Sequence, residues 1–328
     1  MILKKFKLVP ISGDASFRQY YRKFDQKRNI STIVLFSKRE KYKNLLIYSA
    51  INKYLLDNNI RTPRLLIENY KKGFIEIEDF GKNTIHKTLM KSRSKFHIYK
   101  KIVNILIKLQ KVKPRIIKDF YRKSHKLEDY TVKSLQKESN LFFNWYLPLI
   151  LKKEQTLKIK KTLKKKLQVF YKKLKFKNKI FVHRDFHVSN LMKINNQIGV
   201  IDSQDAIIGN PTYDLVSLID DVRIKTSNQL KKNIFNYYIS KCPKIYRRKK
   251  NDFIHDFNIL SLQRNLKIIG IFSRLFKRDK KKRYLKLIPY AWKLIEIRLE
   301  DKMFNEINTV LNKYISPETR KKIKFYEN

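Results

Sequence analysis

One stretch of this chain, KIFVHRDFHVSNLMKINNQIGVIDSQDA over residues 179–206, constrains the fold more than any other. A short apolar run, Ile180-Phe181-Val182, leads into a polar loop, and the alternation that follows reads as a hairpin. The sequence around this island has helical periodicity: roughly 84–112, 124–147, 151–174, 228–240, 251–276 and 283–313. The first 80 residues read differently, as strands (FRQYYRKF, STIVLF, and RLLIENY and FIEIEDF around a turn at Lys72-Gly73) with one helix over KYKNLLIYSAINKYLLDNN. Pro63 acts as a stop beyond that helix. The expected architecture is therefore α+β and bilobal: a small β-rich N-lobe, 1–80, and a larger, mainly helical C-lobe, 81–328, that carries the island.

The island also holds a recognisable set of donors. Asp185 and Asn190 share the loop, and Asp202 follows twelve residues after Asn190. Phosphoryl transfer to a hydroxyl needs a carboxylate to orient the attacking group and take its proton, and oxygen ligands that keep Mg²⁺ on the nucleotide phosphates. Asp185 suits the first task, and Asn190 with Asp202 the second. ATP and Mg²⁺ are the cofactors this spacing calls for.

Charge points the same way once its distribution is considered. The chain carries 77 Lys+Arg against 28 Asp+Glu, a formal +49, which at first suggests nucleic acid or an anionic membrane. Yet 58 of the 77 are Lys and 19 are Arg, the residue favoured for bidentate phosphate and base recognition. Residues 151–179 hold thirteen Lys and one acid, whereas residues 194–222 contain no Lys or Arg and five Asp: Asp202, Asp205, Asp214, Asp220 and Asp221. An ammonium close to metal-binding carboxylates would compete with the cation, so a lysine-free acidic window in a basic chain marks a divalent-cation pocket. The single Cys242 excludes an intramolecular disulfide framework and fits a reducing compartment. No run of 18 apolar residues is present and the N-terminus does not read as a signal peptide, so the expected location is the cytoplasm.

H-x-D-x-x-x-x-N followed by a hairpin presenting an Asp is the spacing of protein kinases and kinase-like small-molecule phosphotransferases. With His187 two residues beyond Asp185, the island resembles the aminoglycoside phosphotransferase/choline kinase group. Three longer stretches are similar to the anomeric N-acetylmuramate/N-acetylglucosamine kinases: Ser12-Gly13-Asp14-Ala15-Ser16-Phe17-Arg18-Gln19-Tyr20-Tyr21-Arg22; Asp202-Ser203-Gln204-Asp205-Ala206 with Gly209–Leu218; and Gln263–Leu275 on a late helix. The resemblance implies an ATP-dependent kinase that phosphorylates the anomeric hydroxyl of an N-acetyl amino sugar for cell-wall recycling. It departs from the pattern at Ser203, where such enzymes usually carry Phe. There is also no clear strand lysine, since Ile33-Val34-Leu35-Phe36 runs directly into Ser37-Lys38.

The remaining expectations follow from these matches. Ser12, Gly13 and Ser16 would cradle phosphates, with Arg18 and Arg22 as the cationic contacts and Lys38 a weaker third. The hinge around Glu78 and Asp79 would bind adenine through its backbone. His187, Gln204, Asp205, Tyr213, Trp145 and Arg264 are candidates for the sugar side, while His183 braces the loop and Arg184 pairs with a nearby carboxylate. The same chemistry on choline, an amino alcohol or an aminoglycoside is the alternative, kept alive by Asp205, Asp214 and Trp145. A non-catalytic kinase-like scaffold that binds RNA or anionic lipid is a second. The expected partner is a small-molecule sugar, with nucleic acid drawn only by nonspecific charge and no membrane span.

Overall fold

The computed structural model describes residues 7–11, 18–25, 30–37, 43–113 and 116–322, which fall into two compact units. The first unit comprises residues up to 128 together with 180–208, and the second residues 129–179 with the chain from 209 onward. The island thus packs with the sheet-bearing part of the chain.

In the first unit, β1 (Lys7–Ile11), β2 (Gln19–Asp25), β3 (Ile30–Phe36), β4 (Leu65–Asn69) and β5 (Phe74–Glu78) form an antiparallel sheet in the order β1-β2-β3-β5-β4. Alternation gives it two unlike faces. Leu35, Ile75 and Ile77 pack with Leu45, Leu46 and Tyr48 of α1 (Lys43–Asp57) and with Tyr70. On the opposite face, Lys23 Nζ donates to Glu76 at 3.0 Å and Thr32 Oγ1 to the same carboxylate at 2.6 Å. Gly73, in the turn before β5, has φ +73°, and a Cβ there would lie 2.5 Å from the Ser37 carbonyl oxygen, so only glycine fits. Helices α2 (Ile85–Lys91) and α3 (Lys95–Lys111) follow.

Residues 116–126 depart from expectation. Instead of a helix from 124, β6 (Ile116–Lys118) and β7 (Ser124–Lys126) make a short hairpin. Its turn is organised by Asp119, whose carboxylate accepts the amides of Tyr121 and Lys123 and bonds His125 Nε2 at 2.7 Å. The island supplies β8 (Ile180–Val182), the hairpin β9 (Leu191–Ile194) and β10 (Gln197–Val200), and β11 (Ile207–Gly209), which pairs with β8. The hairpin is stitched to the rest of the unit by Val200 N donating to Arg61 O (2.7 Å) and Lys193 N to Asn83 O (2.8 Å).

The second unit is helical: α4 (Val132–Leu141), a π-helical turn over Phe142–Tyr146, α5 (Leu147–Ile150), α6 (Lys153–Lys172), α7 (Tyr213–Ile219), α8 (Asn228–Lys241), α9 (Lys244–Arg248), α10 (Lys250–Lys277), α11 (Ile288–Leu299), α12 (Asn305–Tyr314) and α13 (Pro317–Lys321). The single helix expected over 283–313 is divided. Pro289 sits in the first turn of α11, and Asp301 caps a short 3₁₀ turn between α11 and α12 through its bond from Met303 N. Helix α10 is buried along most of its length. At Gly270 it meets the π-turn so closely that a Cβ would lie 2.2 Å from the Leu141 carbonyl carbon and 2.4 Å from Phe142 N.

Candidate active site

The loop before Asp185 is held from both ends. His183 is fully buried, its Nε2 bonds the Ile201 carbonyl at 3.1 Å, and its ring lies edge-on to Phe186. Within the loop, His187 N donates to the Asp185 carbonyl (3.0 Å), Asn190 Nδ2 donates to that same oxygen (3.1 Å), and Asn190 N donates to His187 O (2.9 Å). Phe186 and Val188 are wholly buried and anchor the turn from below. Asp185 and Asn190 are therefore fixed relative to each other, and the bond from Nδ2 leaves the Asn190 side-chain oxygen as the atom suited to a cation. Arg184 sits near the carbonyl of Asp205.

Backbone strain collects at this place. Arg184 has φ +78° and Asp202 φ +67°, a region costly for residues with a Cβ, and both flank the candidate donors. Asp202 is bonded by Gln204 Nε2 at 2.9 Å, and the same nitrogen donates to Asp205 at 2.9 Å. Burial, and next the negative charge of Asp185, push the Asp202 carboxyl up to about 6, against the pull of Gln204 and Arg18. A carboxylate raised by burial and by a second carboxylate belongs to a donor set whose repulsion a divalent cation would remove. Among the described residues there is no group of three or more His, Cys, Asp or Glu able to hold a metal. One Asp and one Asn oxygen nevertheless suit Mg²⁺, which keeps several ligand positions for phosphates and water. The residues present fit the group.

Ser203 explains its own departure from the family pattern. It is fully buried, and its hydroxyl donates to Asn52 Oδ1 on α1 at 2.6 Å. Asn52 in turn carries Thr62 Oγ1 on its carbonyl (2.7 Å), so the segment after Asp202 is tied to the first helix by a polar bond where a larger apolar residue would rely on packing. Ser203→Ala leaves a buried amide oxygen without its donor and is expected to cost about 1–3 kcal/mol. Chemical denaturation checks this, with Ser203→Thr restoring part of the loss. Asn52 escaped sequence reasoning; its only signal was a polar residue within the apolar stripe of KYKNLLIYSAINKYLLDNN.

The other expected residues separate. Arg18 is buried close enough to Asp202 to draw its carboxyl down, and its guanidinium also meets Tyr20 Oη at 3.4 Å. Arg22 has another partner than phosphate: it forms a two-pronged pair with Asp79 (2.5 and 2.9 Å) and donates to Gly81 O at 2.8 Å. Asp79 also accepts Ser31 Oγ and Gly81 N, both at 2.8 Å. Glu78 is paired with Arg61, so both hinge carboxylates are engaged by the protein. Ser12, Gly13, Ser16 and Lys38 lie outside the described residues.

His187 is buried on the turn, and Asp205 is exposed. In the second unit, Trp145 is half-buried on the π-turn. Tyr213 and Arg264, expected on the sugar side, lie inside a polar network. Tyr213 Oη accepts from Tyr130 Oη (3.1 Å), Arg264 Nη1 and Lys267 Nζ (both 3.4 Å), and Lys267 pairs with Glu138 at 3.1 Å. Tyr213 is fully enclosed, and its hydroxyl is engaged by these neighbours. Asn210 is likewise structural, donating to Asp256 at 2.7 Å while its side-chain oxygen accepts Thr212 N.

A five-stranded antiparallel sheet, a mainly helical remainder, and an Asp/Asn turn followed by a strained Asp define the kinase-like phosphotransferases. The chain belongs to the phosphotransferase enzyme family, whose model matches residues 7–249. It is an ATP-using phosphotransferase. Two relatives, the N-acetylmuramate/N-acetylglucosamine kinases of Neisseria meningitidis serogroup B and Pseudomonas aeruginosa, are 27% and 28% identical over 296 residues. The alignments cover 87% and 88% of this chain and 84% and 82% of the relatives. Solved structures of similar fold include a Plasmodium vivax ethanolamine kinase (TM-score 0.61, 12% identity, 92% of this chain and 84% of that one). Amicoumacin kinase, solved in complex with AMP-PNP and Ca²⁺, is another (TM-score 0.60, 13% identity, 88% of each chain). Among the described residues no helix is long and apolar enough to cross a membrane.

Proposed function

We propose that this protein transfers the γ-phosphoryl group of ATP to the anomeric hydroxyl of N-acetylmuramate or N-acetylglucosamine, in the cytoplasm, as a step of cell-wall recycling. The observation that carries the chemistry is the locked turn that fixes Asp185 against Asn190, with Asp202 near enough for its carboxyl to feel the charge of Asp185. The sugar assignment rests on the two relatives together with the Gly209–Leu218 and Gln263–Leu275 stretches.

In this reading Asp185 orients the sugar hydroxyl and takes its proton as the oxygen attacks phosphorus. Asn190 and Asp202 hold Mg²⁺, which when bound neutralises the charge on the transferring phosphoryl group. Arg18 stands in for the missing strand lysine, and the Arg22–Asp79–Gly81 latch sets the hinge whose backbone receives adenine. Residues 1–80 act as the nucleotide-binding lobe, and residues 81–328 carry the loop, the metal donors and the sugar side, with His187, Gln204 and Asp205 as the candidates closest in sequence to the catalytic and metal residues. Positioning supplies most of the acceleration, since little covalent chemistry falls to the protein.

The test is ADP release, coupled to a spectrophotometric readout, with each N-acetyl sugar beside choline, ethanolamine and an aminoglycoside. Turnover of the sugars and not of the cationic acceptors is the expected result. Turnover of a cationic acceptor alone moves the assignment to the alternative, and no turnover of any removes it.

A further inference from the structure

Large apolar side chains are exposed at eleven described positions, and three of them gather on the β6–β7 hairpin of the first unit: Ile116 (60%), Phe120 (51%) and Tyr121 (52%). Scattered single residues would need no account; a cluster in a chain of +49 does. Tyr70, just after β4, packs its ring against Phe120 (5.5 Å) and Tyr121 (5.9 Å). Tyr70 is itself buried and tied to Ser49 on α1 at 2.7 Å, so the aromatic tip rests on a firm base.

The surrounding charge is mostly basic. Arg64, Lys71, Lys72, Lys118, Arg122 and Lys123 are all exposed around the cluster. Of the nearby acids, Asp119 is buried and its carboxylate is engaged by the hairpin's own amides and His125, Asp57 is paired with Lys53, and Glu68 is half-buried near Tyr70. Arg64, Lys118, Phe120 and Arg122 line a common groove with Leu65. Basic groups over an anion-ready groove, with aliphatic and aromatic side chains standing beside them, match a bilayer interface: headgroup phosphates for the cations and the acyl boundary for the apolar tips.

We propose that the β6–β7 hairpin docks this protein on an anionic phospholipid surface. The occupant is lipid and not single-stranded RNA for two reasons. Ile116 offers no stacking face to a base, and Phe120 and Tyr121 stand edge-to-face at 84°, where successive bases need successive open ring faces. The site is independent of the sugar assignment.

Co-sedimentation of the full chain with phosphatidylglycerol/phosphatidylcholine vesicles, at about 0.15 M salt so that bulk attraction is screened, reads the proposal. The wild type partitions to these vesicles and not to phosphatidylcholine alone. Phe120→Ser/Tyr121→Ser lowers partition about tenfold or more, and Lys118→Glu/Arg122→Glu does likewise. Lys161→Glu/Lys164→Glu on α6, the same change of charge elsewhere, moves it about twofold at most. Phe120→Trp adds an independent readout, a blue shift of emission on vesicle binding, and unchanged ADP release in solution shows that the variants are folded. Partition unaffected by Phe120→Ser/Tyr121→Ser, or lowered equally by the α6 pair, overturns the proposal in favour of diffuse charge. Tighter binding to single-stranded RNA that depends on Phe120 and Tyr121 overturns it in favour of nucleic acid.

Discussion

Asp220→Ala is expected to lower the unfolding midpoint of the second unit by on the order of 10 °C, from a loss of about 3–5 kcal/mol. Asp220 is wholly buried between α7 and α8, and its carboxylate accepts from Lys231 Nζ at 2.9 Å, Arg298 Nη2 at 3.1 Å and Ser261 Oγ at 2.6 Å. Arg298 also donates to Ser261 Oγ at 3.0 Å, closing the network. Removing the anion leaves two shielded cations without their counter-charge, which is why the loss exceeds that of an ordinary surface pair. Burial alone would raise this carboxyl, yet Arg298 and then Lys231 hold it well below the usual carboxylate range. A carboxyl depressed in the folded state gives stability that is full above the unfolded value, about 3.9, and is lost as pH falls toward the folded one. The wild type therefore loses stability steeply on acidification below about pH 4, and Asp220→Asn, less stable at neutral pH, shows a shallower decline there. Thermal or denaturant unfolding across that range decides it; equal slopes would mean that the network contributes nothing.

Asp185→Asn is expected to reduce kcat by about a thousandfold, within the 10²–10⁴ range of a lost general base, with the sugar KM changed only a few-fold. The substitution keeps size and polarity, and the bonds from His187 N and Asn190 Nδ2 that fix the turn reach the Asp185 backbone carbonyl, which the substitution leaves in place. The loop therefore survives and only the proton acceptor is lost. Unfolding midpoints serve as the control. A kcat within tenfold of wild type would remove Asp185 from the role given to it here.

What could be read from the sequence, and what could not, divides by how far apart the interacting residues lie. The proximity of Asp185, Asn190 and Asp202 was legible because it is written in short linear spacing, and the loop and hairpin that carry them are locally encoded. The bracing role of His183 followed for the same reason. The pairing of Arg22 with Asp79 and Gly81 was not legible because these partners lie 57 and 59 residues away, and nothing local shows that they meet. The bonds that Tyr213 receives from Tyr130, Arg264 and Lys267 were hidden likewise, since they depend on how α7 meets α10. The β6–β7 hairpin was hidden because two three-residue strands have too little periodicity to register, and one Asp119 carboxylate sets their turn. In contrast, Pro289 was a signal present in the sequence, a mark of the start of α11 inside a longer helical pattern.

The lysine surplus acquired a more specific meaning. Its gap over residues 194–222 coincides with the segment that holds Asp202, while part of its bulk surrounds a cluster of exposed apolar residues 116–121. A uniform solvated coat of charge would have produced neither.

The most direct test of the central reading is phosphorus and carbon NMR of the product formed from ATP and N-acetylmuramate or N-acetylglucosamine. The account predicts a sugar 1-phosphate, seen as phosphorus coupling to the anomeric carbon and proton, formed with the wild type and lost with Asp185→Asn. Phosphate on any other oxygen, or the same product at an undiminished rate from the variant, would contradict it.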